Sequence, residues 1–400
     1  MHTLVILHSG AATGPPQHVF SWLSPLAARG SVSTIVPAAG SAADLYATIG
    51  RTTILDFEPL TYPHRLRALG AYAARFAADV RRFGRLIRQL QPDLVVSVTA
   101  SLPAALLAAR MQGIPTVVFV GEIFDKGLAT SRGRALGASA AIRMTAALPD
   151  ALVCCSQTVA GQFARTRTRL LRTIYPGVDG SYAHGDGERF RALHGLTEAA
   201  PCLAVIGNVT PARGQDIVIR ALPALRRDFP EVRCLIAGVP HPRPGDLAYR
   251  QELGRLARRL RVDDAVVFVG LVDSMADLYA ASDIVVNPAR FNEPFGRVAI
   301  EALSAGRPVV AAAVGAVAEV VRDGQEALLF AAEDHEDLQN AIIRLWRDRR
   351  MREKLVRNGR SRVTVQFRED LAVEAFGDVV ERVLMARNGT AIPTRSRAAK

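Results

Sequence analysis

Residues 287–306 read NPARFNEPFGRVAIEALSAG, and this stretch decides the fold class. A short apolar strand is predicted just before it, at 283–286, so residues 287–292 form the loop at the carboxyl end of that strand. Pro294 fits the first turn of a helix, because its missing amide proton is not needed there, and Gly306 ends that helix. Strand, loop and helix in this order predict an open parallel α/β sheet, which binds ligands at the carboxyl ends of its strands.

Two glutamates, Glu293 and Glu301, stand in this loop and helix. An anionic group is expected near Phe295 and Gly296, because a helix N-terminus offers unpaired amide protons and the positive end of the helix dipole. Glu301 lies among apolar residues, where an unpaired carboxylate would be costly. We therefore expect it to have partners, either ligand hydroxyls or a buried arginine such as Arg307.

The composition predicts a globular chain with two domains. Four hundred residues suffice for two domains that each bury a core. Hydrophobic residues make up 49% of the chain and charged residues 22%, which argues against disorder outside the ends. The net charge of +12 comes mostly from arginine. Because no zinc-finger, helix-turn-helix or RNA-recognition pattern accompanies it, nucleic acid is not an expected partner.

The cysteines and the apolar pattern predict a cytoplasmic protein. All four cysteines fall in apolar strand-like runs without the paired spacing of zinc or redox sites, so they are interpreted as buried thiols in a reducing compartment. The first ten residues predict a strand and no signal peptide. The longest uncharged run is too short and too polar to span a bilayer.

Short apolar runs alternate with longer helical-period segments, which predicts parallel sheets covered by helices. Strands are predicted at 3–8, 32–36, 53–56, 93–98, 116–121, 151–154, 172–174, 202–206, 233–237, 266–269, 283–286, 308–312 and 327–330. The segment 176–195 is rich in glycine and polar residues and is interpreted as an interdomain linker. After residue 330 the pattern is wholly helical.

The segment NEPFGRVAIEA (292–302) resembles the Glu-x7-Glu signature of retaining nucleotide-sugar glycosyltransferases with the GT-B fold, specifically glycosyltransferase family four, also called glycosyl transferases group one. Segments 207–222, 266–289 and 306–330 follow the family order in the second half of the chain. The runs QPDLVVSV, GIPTVVFV and IYPGVD extend the resemblance into the first half.

The resemblance implies an α/β protein of the GT-B class, with two doubly wound Rossmann-like domains and an interdomain cleft. It implies an acceptor-side domain at 1–180 and a nucleotide-sugar-binding domain at 196–370. A helix at about 371–387 is expected to pack back on the first domain, and the tail at 388–400 is expected to be disordered.

The family binds a nucleoside diphosphate sugar as donor substrate, without a cofactor. The resemblance implies that Glu301 accepts hydrogen bonds from both ribose hydroxyls; the alternative is a buried carboxylate paired with a nearby arginine. Glu293 would meet the hydroxyls of the donor sugar; the alternative is a carboxylate favoured by the dipole at a helix start. The amides of Phe295, Gly296 and Arg297 would face the phosphates and the sugar.

Arg213 is the expected partner of the diphosphate, in the loop PARGQD after the strand at 202–206. The family usually has a lysine there, and arginine can bridge two phosphate oxygens. Five residues earlier the family usually carries an arginine, but this chain has Asn208. Asparagine cannot offset charge, so either catalysis is weaker or another cation, Arg297 or Arg290, substitutes.

The donor site is expected to hold no metal, because the Asp-x-Asp signature of metal-assisted sugar transfer is absent. The acidic cluster at 333–337 resembles a metal site in composition only. It stands at a predicted helix start, where carboxylates accept hydrogen bonds from free amides. We interpret it as a solvated helix cap.

Two residues of the first half are candidates for the same reaction. Gly14 follows the first strand, where its amide either binds the diphosphate or only forms a turn into a helix. Glu122 follows the strand at 116–121, near the position where the family often has a histidine that points at the donor sugar. It is assigned that polar role, with contact to the acceptor or a helix cap as alternatives.

The segment RFAADVRRFGRLIRQL (75–90) has a basic amphipathic pattern. Such a helix can lie on an anionic membrane, which would place the protein peripherally on the inner face of the membrane. The alternative is an ordinary helix that covers its domain with solvated arginines.

The function predicted from these residues is a retaining, metal-independent glycosyltransferase. It would act on a glycan or lipid-linked acceptor in polysaccharide or glycoconjugate assembly. Asn208, together with the missing family glycine pair and histidine, also allows a non-catalytic degenerate glycosyltransferase scaffold. A nucleotide-sugar 2-epimerase on similar architecture is the other alternative. An NAD-dependent oxidoreductase is disfavoured, because no Gly-x-Gly-x-x-Gly follows a strand.

Overall fold

The computed structural model describes residues 1–12, 14–57, 69–124, 142–166, 168–197 and 200–387. The chain divides into two compact units, one formed by Met1–Pro176 with the chain from Glu369 onward, the other by Gly177–Arg368. Each unit is built on one parallel sheet with helices around it. The expected disorder of the tail at 388–400 lies outside the described residues.

The first unit contains a seven-stranded parallel sheet in the order β3-β2-β1-β4-β5-β6-β7. Its strands are β1 His2–Ile6, β2 Ser31–Val36, β3 Arg51–Ile54, β4 Leu94–Ser97, β5 Thr116–Val120, β6 Ala151–Cys154 and β7 Leu171–Thr173. Its helices up to this point are α1 Pro15–Ala27, α2 Ser41–Ala47, α3 Leu69–Leu90, α4 Pro103–Met111 and α5 Gln157–Gly161, and residues 142–147 are also helical. The central strands are buried on both faces and therefore almost wholly apolar.

The second unit contains a six-stranded parallel sheet in the order β10-β9-β8-β11-β12-β13. Its strands are β8 Cys202–Ile206, β9 Arg233–Ala237, β10 Val266–Gly270, β11 Ile284–Asn287, β12 Val309–Ala312 and β13 Leu328–Phe330. Its helices are α6 Gly187–Leu193, α7 Gln215–Asp228, α8 Pro244–Arg259, α9 Met275–Ala281, α10 Arg297–Ser304, α11 Val317–Val320, α12 His335–Arg347 and α13 Arg349–Gln366.

The last described helix, α14 Glu369–Arg387, belongs to the first unit. It packs against α1, where the rings of Trp22 and Phe376 lie 5.6 Å apart. Both aromatic side chains are almost completely buried, so this helix completes the apolar core of the first unit. Its period from 371 to 385 predicted an amphipathic helix, and the structure confirms the helix.

The direction of chain winding reverses once in each sheet. In the first sheet the reversal lies between β1 and β4, and in the second between β8 and β11. In open parallel sheets, the loops at the carboxyl ends of the strands beside such a reversal form the ligand site. The loops after β8 and β11 are therefore the expected ligand site of the second unit.

Two local expectations differ from the structure. The segment 176–195, interpreted as a linker, is largely part of the second unit and contains α6. Its Arg191 reaches Asp283 at 3.0 Å, and the Asp186 amide donates to Asp277, so these polar residues make tertiary contacts. Pro294 lies before its helix rather than in its first turn: Gly296 has a φ of +95°, which no helix interior adopts, and α10 begins only at Arg297.

Candidate active site

The loops after β8 and β11 are joined by backbone contacts in the second unit. The Arg290 amide donates to the Ala212 carbonyl at 2.8 Å. A Cβ atom on Gly214 would stand 2.1 Å from the Pro288 carbonyl oxygen, so only glycine permits this approach. The two loops that carry Arg213 and Glu293 are thereby held side by side.

Arg213 and Glu293 form an ion pair in this region. Arg213 Nη1 lies 3.2 Å from Glu293 Oε2 and 3.4 Å from Oε1. The guanidinium also lies over the Phe291 ring, 4.9 Å from its centre. Glu293 is 7% exposed, and its carbonyl accepts from the Ala316 amide at 2.8 Å, which fixes the loop beside β12. The structure thus brings a cation and a carboxylate together at the carboxyl edge of the sheet.

Glu301 is buried on α10, with both oxygens bonded to protein donors. Oε2 accepts from the Tyr279 hydroxyl at 2.7 Å, and Oε1 accepts from Arg297 Nε. Arg297 in turn donates to the Tyr182 hydroxyl at 3.1 Å. The suggested partner Arg307 is wrong: α10 turns Arg297, four residues before Glu301, onto the same face of the helix. The pairing of Glu301 with a nearby arginine, which was the alternative to ribose binding, is present as the contact with Arg297.

The tyrosines around Glu301 act as hydrogen-bond donors. Burial raises the pKa of Tyr279 well above its ordinary value, and the neighbouring Glu301 charge raises it further. Burial likewise raises the pKa of Tyr182 to about 12. The two rings meet edge to face with centres 5.8 Å apart. Both hydroxyls therefore stay protonated at neutral pH.

Neither substitute suggested for the missing arginine at position 208 has an uncompensated charge. Arg290 donates to both oxygens of Asp216, at 2.7 and 2.8 Å. Burial alone would raise the pKa of Asp216, but the hydrogen bonds from Arg290 and Tyr249 bring it below its ordinary value. Arg297 is paired with Glu301. Asn208 instead has His241 as neighbour, with Nδ2 3.2 Å from the ring Nε2.

The backbone between Glu293 and α10 passes through Phe295 and Gly296. The Phe295 side chain is buried and packs edge to face on Phe367, with ring centres 5.8 Å apart. Gly296 is the N-cap residue of α10. The side chain of Phe295 thus has a structural role, which leaves the backbone of this segment as its candidate binding group.

In the first unit, Glu122 belongs to a polar cluster at the carboxyl ends of β1, β4 and β5. It accepts from the Thr99 hydroxyl and, at 3.0 Å, from the Gly121 amide. Burial raises the pKa of the Glu122 carboxyl above its ordinary value, against the opposing effects of Thr99 and the nearby His8. His8 Nδ1 contacts the Val98 carbonyl oxygen at 3.1 Å, which orients the ring. His8 is a candidate site residue that the sequence pattern did not single out.

Gly14 is the N-cap residue of α1, with a φ of +57°, and a Cβ atom added to it would meet nothing within 4 Å. Its surroundings are therefore open enough for a ligand to approach the backbone.

Asp334, in the acidic cluster, accepts from the Glu336 and Asp337 amides, which confirms the helix cap. Among the described residues, no group of three or more His, Cys, Asp or Glu side chains could hold a metal ion.

The residues that sequence reasoning missed are Tyr279, Tyr182, His241 and His8. Each lies far along the chain from the residue it contacts: Tyr279 is bonded to Glu301, and His241 to Asn208. No pattern in the sequence around these four residues distinguishes them from other residues in or next to a strand or helix. The pairing itself depends on the packing of the sheet.

Two family models match the chain in consecutive segments. The model described as Glycosyltransferase Family 4 matches residues 13–182, and the model described as Glycosyl transferases group 1 matches residues 186–362. Together they span most of the chain, which belongs to this family of glycosyltransferases.

Curated relatives match over a part of their length. The chain is 41% identical over 178 residues to D-inositol 3-phosphate glycosyltransferase 2 of Catenulispora acidiphila, a match that covers 43% of this chain and 42% of that protein. It is 34% identical over 235 residues to D-inositol 3-phosphate glycosyltransferase of Stackebrandtia nassauensis, covering 56% and 51%. The chain thus spans about half the length of these relatives.

The fold matches that of solved structures across the chain. The crystal structure of Anabaena Alr3699/HepE in complex with UDP and glucose has a TM-score of 0.80 at 22% sequence identity, covering 95% of this chain and 99% of that chain. Together with the two parallel sheets, this likeness confirms the expected GT-B fold class.

Proposed function

We propose that this protein is a retaining glycosyltransferase that moves a sugar from a nucleoside diphosphate sugar to an acceptor hydroxyl. The observation that carries the proposal is the 3.2 Å contact of Arg213 with Glu293 at the carboxyl edge of the second sheet. A cation beside a carboxylate can bind a phosphate and a sugar hydroxyl next to each other. Membership of the glycosyltransferase family supports the same reaction class.

Each donor group has a proposed partner in the second unit. Arg213 and Asn208 bind the diphosphate, with the amides of Phe295, Gly296 and Arg297. Glu293 accepts hydrogen bonds from the sugar hydroxyls. Glu301 accepts from the ribose hydroxyls with the lone pairs that Tyr279 and Arg297 leave free, since each carboxylate oxygen can accept more than one hydrogen bond.

In the first unit, the proposal assigns Glu122 to hydroxyl groups of the donor sugar or acceptor. The Glu122 carboxyl oxygens can accept hydrogen bonds from such hydroxyls. The Gly14 amide is assigned to the diphosphate.

The reaction breaks the bond between the anomeric carbon and the diphosphate oxygen, and joins that carbon to the acceptor oxygen. Arg213 stabilises the negative charge that develops on the departing phosphate. Glu293 is engaged by Arg213 and serves to orient the sugar. Retention then follows if the acceptor attacks on the face that the phosphate leaves, while a phosphate oxygen takes the acceptor proton.

Metal independence follows from the same assignment. Because Arg213 and backbone amides offset the charge of the leaving group, transfer is expected to survive EDTA. Complete loss of activity that only Mg²⁺ or Mn²⁺ restores would contradict it.

The relatives and fold neighbours suggest which substrates to test first. The curated relatives are named D-inositol 3-phosphate glycosyltransferases, so a phosphorylated polyol is a first acceptor to test beside glycan and lipid-linked acceptors. The Anabaena protein was solved with UDP-glucose, so a UDP-sugar is a first donor beside GDP-sugars.

The test is a thermal-shift screen of UDP- and GDP-sugars, followed by transfer assays with the radiolabelled donor that binds. A ligand that binds only the folded state raises the unfolding temperature. Transfer to an acceptor with retained anomeric configuration supports the proposal. An epimer formed without acceptor supports the 2-epimerase, and failure to bind any nucleotide sugar supports the non-catalytic scaffold.

A further inference from the structure

The loop after β8, to which the proposed function assigns the diphosphate, has a neutral residue where the resembled family usually carries an arginine. Arg213 carries one positive charge, which is paired with Glu293 at 3.2 Å, and position 208 holds a neutral asparagine. Arg290 is committed to Asp216 and Arg297 to Glu301, so the charge of each is already offset. A group that replaces the missing positive charge must therefore lie near Asn208.

The loop after β9 presents His241 to Asn208. The Gly207 amide donates to the Ala237 carbonyl at 2.9 Å, and the Val209 amide donates to the Val239 carbonyl at 3.0 Å, so the loops after β8 and β9 run together. At the end of this ladder, the Asn208 side-chain amide lies 3.2 Å from His241 Nε2.

Asn208 is held firmly on its backbone side as well. The side-chain amide Nε2 of Gln215 donates to the Asn208 carbonyl oxygen at 3.0 Å. On the other side, the Arg213 side chain lies against Gly207, within 3.4 Å of where a Cβ atom would stand. The dipeptide 207–208 therefore lies between the Arg213 side chain and the His241 ring.

We propose that His241 is a positioning residue for the donor diphosphate, acting through Asn208. This inference rests on the proposed function. The 3.2 Å contact suits either orientation of the amide: its N–H donates to a neutral ring, or its oxygen accepts from a protonated ring. With the protonated ring, both amide protons of Asn208 turn away from His241 and are free for a phosphate oxygen.

The bound diphosphate itself favours this second arrangement, because a nearby negative charge stabilises the imidazolium form. His241 then supplies the positive charge that Asn208 lacks, while Asn208 supplies the direct contact. The two loops also carry Arg213 and Arg243, which attract the same anion, and the Glu293 carboxylate is paired with Arg213 at 3.2 Å.

The experiment compares a nucleoside diphosphate with its nucleoside by calorimetry, using UDP and uridine or, if the protein prefers guanine, GDP and guanosine. His241→Ala is expected to lower the affinity for the nucleoside diphosphate about tenfold, which corresponds to the loss of one charge-assisted hydrogen bond. The nucleoside, which carries no phosphate, should bind as it does to the parent. His184→Ala, an exposed histidine of the same unit, is the matched control and should change neither affinity.

Two further variants separate positioning from a loss of folding. His241→Gln keeps a hydrogen-bonding side chain without a charge, and should lose diphosphate affinity at an unchanged unfolding temperature. Asn208→Arg combined with His241→Ala restores a direct cation, and should recover diphosphate affinity.

Equal weakening of nucleoside and diphosphate, no effect of His241→Ala, or no recovery in the double variant would each overturn the assignment of His241. If the parent binds none of these nucleotides, the proposed function itself fails. The two failures are therefore distinguishable.

Discussion

Glu301 is bonded in the second unit to the Tyr279 hydroxyl and to Arg297. Replacing it with alanine would remove the carboxylate that Arg297 pairs with, and breaking a buried ion pair costs about 3–5 kcal/mol of unfolding free energy. A loss of nucleotide affinity in the alanine variant could therefore result from a destabilised fold as well as from a lost ligand contact. A glutamine at this position keeps the shape and one acceptor oxygen but also removes the charge that Arg297 pairs with, so its unfolding temperature has to be compared with that of the parent.

We predict that Glu301→Gln lowers affinity for the nucleoside about tenfold or more, because hydrogen bonds to a charged acceptor contribute about 1.5–3 kcal/mol. Tyr279→Phe is the matched control, since it removes a protein donor to the same carboxylate and no ribose contact. It should leave affinity near that of the parent, as measured by calorimetry with uridine or guanosine. Equal affinities for the parent and Glu301→Gln would show that Glu301 does not bind the ribose.

Glu122 gives a prediction about pH, because burial raises the pKa of its carboxyl. Between the ordinary and the raised pKa, the folded state binds more protons than the unfolded chain, so the unfolding free energy falls as pH rises through this window. Glu122→Gln has no such proton and should lack that fall in urea unfolding series from acid to neutral pH. Glu188→Gln, at an exposed site, should behave as the parent does. A Glu122→Gln variant that keeps the full pH dependence would exclude Glu122 as its source.

The candidate site residues were readable from the sequence, but the protein groups that they contact were not. Glu293, Glu301 and Arg213 stand at fixed distances along the chain from strand ends, so local pattern and family resemblance found them. Which arginine pairs with Glu301 depends on the turn of α10, and the start of that helix was misjudged at Pro294. Contacts such as Tyr279 to Glu301 join different elements and need the packed sheet.

At the scale of elements, the strands were predictable because parallel strands buried on both faces read as continuous apolar runs. Each of the thirteen predicted strands is present, with its ends shifted by at most two residues. The polar segment 176–195 was not recognised as structured, because α6 is short and exposes most of its residues. Its order comes from tertiary contacts such as the one between Arg191 and Asp283.

Helix α3 buries its apolar side in the first unit, as Phe83 and Ile87 are almost completely covered. Its exposed side carries Arg81, Arg85 and Arg88, next to a groove that reaches Met111 of α4. No helix among the described residues is long and apolar enough to cross a membrane. Because the apolar side of α3 is buried, the groups that this helix offers to an anionic membrane are its exposed arginines.

We predict that the protein binds phosphatidylglycerol vesicles in low salt and is released as salt rises. Replacing Arg81, Arg85 and Arg88 with glutamine should weaken binding by about two orders of magnitude, at about 1 kcal/mol for each charge near the surface. A triple glutamine variant of Arg255, Arg258 and Arg259 on α8 removes equal charge from the other unit and should change binding little. Equal losses of vesicle binding in both variants would indicate that binding depends on the net charge of the protein and not on α3. The interpretation of α3 as an ordinary helix with solvated arginines would then hold.

At the scale of the whole molecule, the two units differ in how the chain forms them. The second is one continuous segment, Gly177–Arg368, whereas the first needs chain from both ends. The ends of the second unit meet, since the Val178 amide donates to the Phe367 carbonyl at 2.8 Å. A domain with adjacent ends and its own core can fold alone, and this one has a continuous core around β8 and β9.

We predict that a protein consisting of residues 177–368 folds cooperatively and binds the nucleoside diphosphate of the preferred donor. The reason is that Asn208, Arg213, Glu293 and Glu301 all lie within it. It should transfer no sugar, because the unit proposed to bind the acceptor and to contribute Glu122 is missing. Urea unfolding tests the fold, and calorimetry tests binding. Arg213→Ala in the same fragment should lower the affinity for the nucleoside diphosphate more than the affinity for the nucleoside. A fragment that unfolds cooperatively but binds no nucleoside diphosphate would mean that the first unit supplies an indispensable contact, for which the Gly14 amide is the first candidate.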